Sequence, residues 1–333
     1  MGEAHTIKKV FTTEPYTDWH WDKLVEALGP VEIVRARHDD IPDVKEKIKD
    51  ADVAIMAGDI SAEVLAAGKN LKWVHCDHAG ANNSAHPEIF QRGIYLTASA
   101  GRSAPVLAEH IFFLMLSLIY NSRELEQQQR AHSFNNLYRD RRGLYTKTIG
   151  ILGLGHTGKA LATRAKAFGM TVLGYDREAL EVPPGVDKAY FADKGQNIDE
   201  ILKASDIVVL AVRLSDETYH LIDDRALHLM KPTAYLVNMA RGAVVDQAAL
   251  HKALVNKTIA MAASDVFDPE PLPKDSPLWD LPNFVITPHC TPEIPDLALS
   301  GLNIICDNIK LYREGKPLRN QLDARDVYTK GTK

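Results

Sequence analysis

The stretch Thr148-Ile149-Gly150-Ile151-Leu152-Gly153-Leu154-Gly155-His156-Thr157-Gly158, continued through residues 159–169 to the apolar run at 171–176, decides the fold. Its pattern predicts a strand, a glycine turn, an amphipathic helix and a second strand that ends in an acid. In a dinucleotide site, Gly153 permits the tight turn, Gly155 lets backbone N–H groups approach a pyrophosphate, and Gly158 lets helix and strand pack closely. The helix N-terminus supplies N–H donors and positive partial charge for phosphate. Asp176, 18 residues after Gly158, is expected to accept hydrogen bonds from an adenosine ribose.

Length and composition indicate a soluble protein of about two domains. The 333 residues are 45% hydrophobic and 25% charged, as in ordinary globular proteins. A net charge of −5 gives no broad electrostatic reason to bind nucleic acid or an anionic membrane. The three cysteines, Cys76, Cys290 and Cys306, lack metal-ligand spacing, so we expect no disulfide framework, no metal and a reducing cytoplasm.

No membrane association is expected. The N-terminus carries an early acid and has no apolar signal core. The most apolar run, residues 111–120, is shorter than the roughly 20 residues that cross a bilayer. We therefore expect a buried helix there.

Two blocks of alternating strands and helices predict two α/β domains with parallel sheets. The first block has strands at 8–12, 31–37, 53–57, 71–76 and 94–98, with helices at 18–28, 43–49 and 61–67. The second has strands at 148–152, 171–175, 207–212, 234–238, 259–265 and 284–287, with helices at 199–204, 225–230 and 247–255. Six strands with crossover helices predict a doubly wound dinucleotide-binding domain.

The connections predict a discontinuous first domain. One long helix from 105 to about 130 is expected to connect the domains, and 135–143 is expected to run over the surface or over a neighbouring subunit. A helix from 295 to about 312 is expected to return to the first domain. The predicted domains are residues 1–101 with 293–333, and residues 102–292.

Four polar residues follow the predicted strand ends of the second block, where ligands gather in open α/β sheets. Arg241 could clamp a carboxylate at two points, with Gly242 turning the chain beside it. Asp265 could accept from a nicotinamide carboxamide, and His289 could meet the nicotinamide and a substrate carbonyl. Taken singly, Arg241 could be a surface residue, Glu270 a solvated acid between prolines, and His289 structural. Their order on one glycine-loop domain favours a catalytic set.

These segments resemble the D-isomer-specific 2-hydroxyacid dehydrogenase family. The resemblance runs from about 71 to 320 and is carried by the glycine loop, by residues 238–246 and 265–273, and by Thr287-Pro288-His289. It implies a Rossmann domain inserted into a flavodoxin-like substrate domain. Most members are homodimers, and Ala108-Glu109-His110 resembles their interdomain and dimer-forming helix.

The resemblance also implies the reaction. Arg241 would clamp the carboxylate and carbonyl, His289 would be the general acid/base, and Glu270 would orient the imidazole and favour its protonated form. The implied enzyme interconverts a small 2-oxo acid and its D-2-hydroxy acid with NAD(P). Hydroxypyruvate, glyoxylate or a sugar-derived acid is expected because Asp77, His78 and Arg102 are polar; these three either read a polar substrate tail or form a solvated rim.

The implied binding residues belong to both blocks. Backbone N–H groups near Ala79 and Gly80 would hold the substrate carboxylate, whereas Asn82 replaces the aspartate of many members and carries no implied role. Asp176 would repel a 2′-phosphate, so NAD is expected over NADP, although Arg177 or Arg213 could tolerate that phosphate. The expected cofactor residues are Gly153, Gly155, His156, Thr157, Gly158, Asp176, Arg177, Val212, Arg213, Thr218, Met239, Ala240, Arg241 and Asp265.

Three alternatives remain open. Formate dehydrogenases of this family have Gln where Glu270 stands, which argues against that activity. Phosphoglycerate dehydrogenase is possible by resemblance, although we expect no appended regulatory domain after Asn320. A dinucleotide-sensing protein like the corepressors of this fold is disfavoured by the intact Arg241, Glu270 and His289.

Overall fold

The computed structural model describes residues 4–135, 143–179, 181–290 and 294–330. The chain divides into two compact units. The first unit consists of Met1–Ser103 together with Glu293–Lys333, and the second is Ala104–Pro292. Most of the excursion predicted at 135–143, namely residues 136–142, lies outside the described residues.

The first unit is built on one six-stranded sheet. Its strands are β1 (Lys9–Thr12), β2 (Glu32–Arg35), β3 (Val53–Met56), β4 (Trp73–Cys76), β5 (Tyr95–Ala98) and β13 (Gln321–Leu322). Its helices are α1 (Asp18–Leu28), α2 (Ile41–Lys47), α3 (Ala62–Ala67), α4 (Pro87–Gln91) and α11 (Leu297–Arg313). The order β13-β5-β4-β3-β1-β2 has the flavodoxin-like arrangement 2-1-3-4-5 in its parallel part.

Both faces of this sheet are covered at its centre, where every residue of β3 and β4 is buried. Neighbouring residues of β1 point to opposite sides: Phe11 packs in a cluster with Val44 of α2 and Val64 of α3. Val10 packs in another cluster with Leu24 of α1 and Leu302 of α11. The helix that follows residue 296 therefore completes the core of the first unit.

The expectation of a wholly parallel sheet is wrong at one edge. Strand β13 pairs antiparallel with β5, with Leu322 opposite Leu96. The Asn320 side chain donates to the carbonyls of Ala98 and Ala100, at 3.1 and 2.8 Å, and so fixes this strand beside β5. Two residues are too few to show a period in the sequence.

The second unit contains a seven-stranded parallel sheet. Its strands are β6 (Thr148–Leu152), β7 (Thr171–Asp176), β8 (Lys188–Phe191), β9 (Ile207–Leu210), β10 (Tyr235–Asn238), β11 (Met261–Ser264) and β12 (Phe284–Ile286). Its helices are α5 (Ala104–Tyr120), α6 (Ser122–Arg130), α7 (His156–Ala167), α8 (Asp199–Ala204), α9 (Asp224–Leu229) and α10 (Gln247–Val255). The order β12-β11-β10-β9-β6-β7-β8 is that of a doubly wound Rossmann domain with one further strand.

The predicted count of six strands is wrong because β8 was missed. This strand pairs with β7 alone at the edge of the sheet. Of its four residues only Phe191 is buried. An edge strand with so little buried surface lacks the apolar pattern that marks the central strands.

The single long helix predicted from 105 to about 130 is two helices. They are bent by 63° at Asn121, whose backbone is left-handed with φ 45°. Asparagine tolerates this conformation better than most residues, and its amide donates to Glu124 Oε2 at 2.7 Å. Helix α5 buries Ala108, Ile111 and Met115 in the core of the second unit, whereas none of the nine described residues of α6 is buried.

No single helix among the described residues is both long and apolar enough to cross a bilayer. Helices α5 and α6 meet that criterion of length and composition only when they are taken together across their bend.

Candidate active site

The glycine loop joins β6 to α7, and its three glycines have different roles. Gly153 has φ +103°, and a Cβ there would lie 2.5 Å from the carbonyl oxygen of Ala211. A Cβ on Gly158 would lie 2.0 Å from the carbonyl oxygen of Gly153, which accounts for the close approach of helix and strand. At Gly155, by contrast, no described atom lies within 4 Å of the added Cβ. Two glycines are therefore required by packing, and the third leaves space beside the helix N-terminus.

The first turn of α7 fits a phosphate. Gly155 is the N-cap residue and no side chain of the described residues caps the helix, so the N–H groups that follow can face a ligand. His156 and Thr157 form this first turn. The space at Gly155 and the uncapped helix end are both what a dinucleotide pyrophosphate needs.

Asp176 closes the loop from the end of β7. Its Oδ2 accepts from the backbone N–H of Leu154 at 2.8 Å, and its Oδ1 accepts from Glu178 N at 3.4 Å. Arg177 Nε lies 3.8 Å from Glu178 Oε1. A carboxylate oxygen can accept more than one hydrogen bond, so the ribose role of Asp176 stays a prediction.

Strands β10, β11 and β12 bring their carboxyl ends to one edge of the sheet. The parallel register sets Asn238 opposite Ser264 and Ser264 opposite Ile286. The residues that follow each strand therefore emerge side by side, at the edge where ligands bind in such sheets. They begin the segments that carry Arg241, Asp265 and His289.

The Arg241 turn is folded by a side chain. Asn238 Oδ1 accepts from Ala240 N at 3.0 Å, and Asn238 Nδ2 donates to the Arg241 carbonyl at 3.0 Å. An asparagine side chain that bonds the backbone in this way replaces a backbone turn. The arrangement presents Met239 and Ala240 directly after β10. Arg241 Nη1 donates to the Ala240 carbonyl at 2.7 Å.

The chain turns at Gly242, which begins the short turn Gly242–Val244, but this turn does not need a left-handed backbone there. The glycine is needed for close approach instead: a Cβ there would lie 1.9 Å from the carbonyl carbon of Phe267. The segment after Arg241 therefore lies against the segment that leads to Glu270. Only glycine allows two backbones to come this close.

Glu270 and His289 form a direct pair. Glu270 Oε2 lies 2.7 Å from His289 Nδ1, and Glu270 Oε1 accepts from the backbone N–H of Phe267 at 2.7 Å. The carboxylate is thus fixed at one oxygen and holds the imidazole with the other. The His289 side chain is 45% exposed. With Nδ1 engaged, Nε2 is the nitrogen that can exchange a proton with a substrate.

Asp265 is almost completely buried, at 1% exposure. Its Oδ1 accepts from Thr287 Oγ1 at 2.6 Å and from Cys290 N at 3.1 Å, and its carbonyl accepts from His289 N at 2.8 Å. These contacts tie the His289 loop to the end of β11. The Asp265 carbonyl therefore helps to position His289, and the contacts with Thr287 and Cys290 fix the Asp265 carboxylate.

Sequence reasoning missed several of these contacts. Thr287 was noted only as part of the motif with Pro288 and His289, although its place at a strand end was the available signal. Gln247 clamps the Asp268 peptide, with Oε1 accepting from Asp268 N at 3.2 Å and Nε2 donating to Asp268 O. A glutamine at the start of α10 gives no signal of this kind.

The segment after β9 carries the remaining expected cofactor residues. Val212 and Arg213 follow this strand, and Thr218 Oγ1 donates to the Arg213 carbonyl at 2.6 Å and accepts from Ser215 N at 2.8 Å. Thr218 therefore fixes the course of the backbone here. Thirteen of the fourteen expected cofactor residues lie within six residues of the ends of β6, β7, β9, β10 and β11, and Thr218 lies eight residues after β9.

The expected substrate residues Ala79 and Gly80 follow β4 in the first unit. Asp77, two residues before Ala79, is 6% exposed and so is not part of a solvated rim. Its Oδ1 pairs with Arg102 Nη1 at 3.1 Å, and its Oδ2 accepts from Tyr16 OH at 3.4 Å. His78 Nε2 lies 3.3 Å from Asp59 Oδ1.

Glu14 extends this buried group and was not found from the sequence. It follows β1, is 6% exposed, and its Oε1 has no hydrogen-bond partner among the described residues. Burial, followed by the charge of Asp77, raises the pKa of Glu14 from 4.5 to about 8, against the opposing effect of Arg102.

Comparison with known proteins identifies the family. Residues 112–291, more than half of the chain, match the profile described as D-isomer specific 2-hydroxyacid dehydrogenase, NAD binding domain. Over 280 residues the chain is 36% identical to a glyoxylate reductase of Korarchaeum cryptofilum, covering 81% of this chain and 82% of that protein. The chain belongs to the D-isomer specific 2-hydroxyacid dehydrogenase family.

Two solved structures share the fold over nearly the whole chain. A Xanthobacter autotrophicus D-isomer specific 2-hydroxyacid dehydrogenase in complex with NADPH and MES has a TM-score of 0.80 at 27% identity, covering 96% of this chain and 99% of that one. An Aquifex aeolicus D-lactate dehydrogenase complexed with NAD and lactic acid has a TM-score of 0.71 at 26% identity, covering 92% and 96%. The recognition of the family, of its fold and of an NAD(P)-dependent oxidoreductase is confirmed.

Proposed function

We propose that this family member reduces glyoxylate or hydroxypyruvate with NADH, and forms the D-isomer where C2 becomes chiral. The observation that carries the proposal is the 2.7 Å contact between Glu270 and His289, on the sheet edge that also presents Arg241 and Asp265. A histidine held by a carboxylate at one nitrogen is suited to exchange a proton at the other. The glyoxylate reductase relative supports the choice of a small 2-oxo acid.

The cofactor would be held by the glycine loop and by Asp176, with Asp265 accepting from its carboxamide. When bound, the reduced nicotinamide supplies the hydride. His289 donates the Nε2 proton to the alkoxide that develops at C2, and Glu270 keeps the ring in place through Nδ1. Arg241 holds the substrate carboxylate and stabilises negative charge on the carbonyl oxygen. In the reverse direction His289 takes the proton.

We further propose that backbone N–H groups at Ala79 and Gly80 bind the substrate carboxylate. The support is the resemblance of this segment to the family's substrate loop. A cytoplasmic homodimer that binds neither nucleic acid nor membrane is proposed on similar grounds. The resemblance of Ala108-Glu109-His110 to the dimer-forming helix, the net charge of −5 and the three free cysteines support it.

The variant His289→Gln tests the catalytic assignment. The amide cannot act as a general acid, so kcat should fall by roughly 10²- to 10⁴-fold, while the Kd for NADH, measured by fluorescence titration, should stay near the wild-type value. His228→Gln, on the exposed side of α9, is the matched control and should leave both quantities unchanged. Turnover by His289→Gln close to the wild-type rate would refute the assignment.

A further inference from the structure

Three side chains of the second unit bring a nitrogen, an oxygen and a sulfur together. The possible ligand atoms of His110, Asp265 and Cys290 all lie within 4.8 Å of one another. His110 belongs to α5, Asp265 follows β11, and Cys290 lies in the loop after β12. His110 is 7% and Asp265 1% exposed, whereas Cys290 is exposed. The cluster is therefore anchored in the core at two ligands and open to solvent at the third.

One buried nitrogen of the cluster, His110 Nδ1, takes no part in its hydrogen bonds. Thr287 Oγ1 lies 3.3 Å from His110 Nε2, and Cys290 Sγ lies 3.9 Å from Asp265 Oδ1. His110 Nδ1 is buried and has no hydrogen-bond partner among the described residues. A buried polar atom without a partner is unfavourable in a folded protein. Of the two ring nitrogens of His110, therefore, only Nε2 has a hydrogen-bond partner among the described residues.

The three kinds of ligand atom in the cluster indicate which cation it would bind. Imidazole nitrogen, carboxylate oxygen and thiolate sulfur are the three ligand types that zinc takes in proteins, whereas calcium and magnesium prefer oxygen alone. Three protein ligands leave the fourth tetrahedral position for water. When the sulfur binds, the Cys290 thiol releases its proton to solvent, so Zn²⁺ and a neutral thiol give a zinc thiolate and H⁺.

We propose that His110, Asp265 and Cys290 form a zinc-binding site through which Zn²⁺ inhibits the enzyme. Cys290 is the residue after His289, and Asp265 accepts from His289 N, so a bound ion would lie beside the acid/base histidine. It would also occupy the carboxylate that the proposed function assigns to the nicotinamide carboxamide. The expected competition between zinc and NADH rests on the proposed function, because it requires that Asp265 bind the cofactor. Zinc binding itself is independent of the proposed function.

Cobalt substitution tests the site directly. Co²⁺ added to the metal-free protein should produce a thiolate-to-cobalt charge-transfer band, and added Zn²⁺ should remove it. Cys290→Ser should abolish the band and raise the Kd for Zn²⁺, measured with a competing dye, by at least about tenfold, since even indirect supports of a metal ligand contribute that much. Because Cys290 is exposed, this variant should keep the wild-type melting temperature.

Two controls locate the metal. Cys306→Ser removes another free thiol, and His78→Gln alters the second cluster of possible ligands, Asp59, Cys76 and His78. Both variants should bind Co²⁺ and Zn²⁺ as the wild type does. A band that persists in Cys290→Ser, or that disappears in either control, overturns the proposal, as does the absence of any band in the wild type.

The effect on the cofactor is measured separately from turnover. Zn²⁺ should weaken NADH binding, followed by fluorescence, in the wild type and not in Cys290→Ser, and a chelator should restore it. Zinc inhibition of NADH oxidation should diminish as NADH rises. A Cys290-dependent metal band without an effect on NADH binding would refute the inhibitory role. A metal band in a protein that turns over no 2-oxo acid would refute the proposed function and leave the metal site supported.

Discussion

Asp176 combines a structural and a proposed selective role in one carboxylate. It accepts from Leu154 N and so holds the glycine loop against the end of β7. Its negative charge would lie near the adenosine ribose, where it disfavours a 2′-phosphate. Charge and hydrogen bonding can be separated because asparagine retains an acceptor oxygen and loses the charge.

The variant Asp176→Asn should therefore change cofactor preference more than stability. We expect the wild type to have a higher kcat/KM with NADH than with NADPH. In the variant the ratio of these two values should fall about tenfold, which corresponds to ~1.4 kcal/mol. The measurement is kcat/KM with NADH and NADPH at a fixed 2-oxo acid concentration. Asp193→Asn, which alters another acid that accepts a backbone N–H in the same region, should keep the wild-type ratio. A clear NADPH preference in the wild type would contradict the assignment.

Glu14 should make stability depend on pH. Its pKa is about 8 in the folded protein and 4.5 when solvated, so between these values the folded state binds more protons. Stability contributed by neutral Glu14 is complete below pH 4.5 and is lost as pH rises through about 8. Burial lowers the pKa of His75 to about 3, which acts in the opposite direction at acidic pH but is common to wild type and variant.

Urea unfolding of the wild type and Glu14→Gln at pH 5.5 and pH 8.5 measures this effect. Relative to the variant, the wild type should lose on the order of a few kcal/mol of unfolding free energy at the higher pH. Glu26→Gln, at an exposed position of α1, should follow the wild type. An equal pH response in Glu14→Gln would show that Glu14 is not held neutral by the fold.

The sequence predicts which residues react, namely Arg241, Glu270 and His289, whereas the contacts that hold them in place could not be predicted from it. Arg241, Glu270 and His289 lie in short segments with recognisable order. The contacts of Glu270 with Phe267 N and of Asp265 with Thr287 depend on how separate loops fold against one another. His110 and Cys290 are 180 positions apart, so sequence spacing gives no sign that their side chains meet.

Within the glycine loop, one glycine is required for packing and another is proposed to make room for the ligand. Gly158 has no room for a side chain, while Gly155 faces open space. Gly158→Ala should destabilise the protein by about 1–3 kcal/mol, as overpacking does, and lower its melting temperature. Gly155→Ala should keep the melting temperature and raise the Kd for NADH at least about tenfold, because the methyl group would occupy space proposed for the pyrophosphate. Normal NADH binding by Gly155→Ala would remove this loop from the cofactor site.

Whole elements were predictable where they are central and apolar. Strands β6, β9 and β10 lie inside the sheet and appear in the sequence as short apolar runs. Strands β8 and β13 lie at edges, where one neighbour and few buried residues leave no period to detect. The bend between α5 and α6 depends on the left-handed backbone of Asn121, which helix propensity does not reveal.

Each of the two units uses the carboxyl ends of a parallel sheet to collect polar groups. In the first unit these include Glu14 and Asp77, and in the second they include Arg241, Asp265 and His289. Parallel strands all end at one edge, so residues far apart in the chain are gathered without any local motif that joins them. The order of elements therefore predicted that a site exists, and the identity of its residues indicated the reaction.

NADH oxidation with a panel of 2-oxo acids tests the proposed reaction most directly. The panel contains glyoxylate, hydroxypyruvate, 3-phosphohydroxypyruvate and pyruvate, each with NADH and with NADPH. We predict the highest kcat/KM for glyoxylate or hydroxypyruvate with NADH, and loss of that activity in His289→Gln. Tight NADH binding without turnover of any of these acids would contradict the account and favour a dinucleotide sensor.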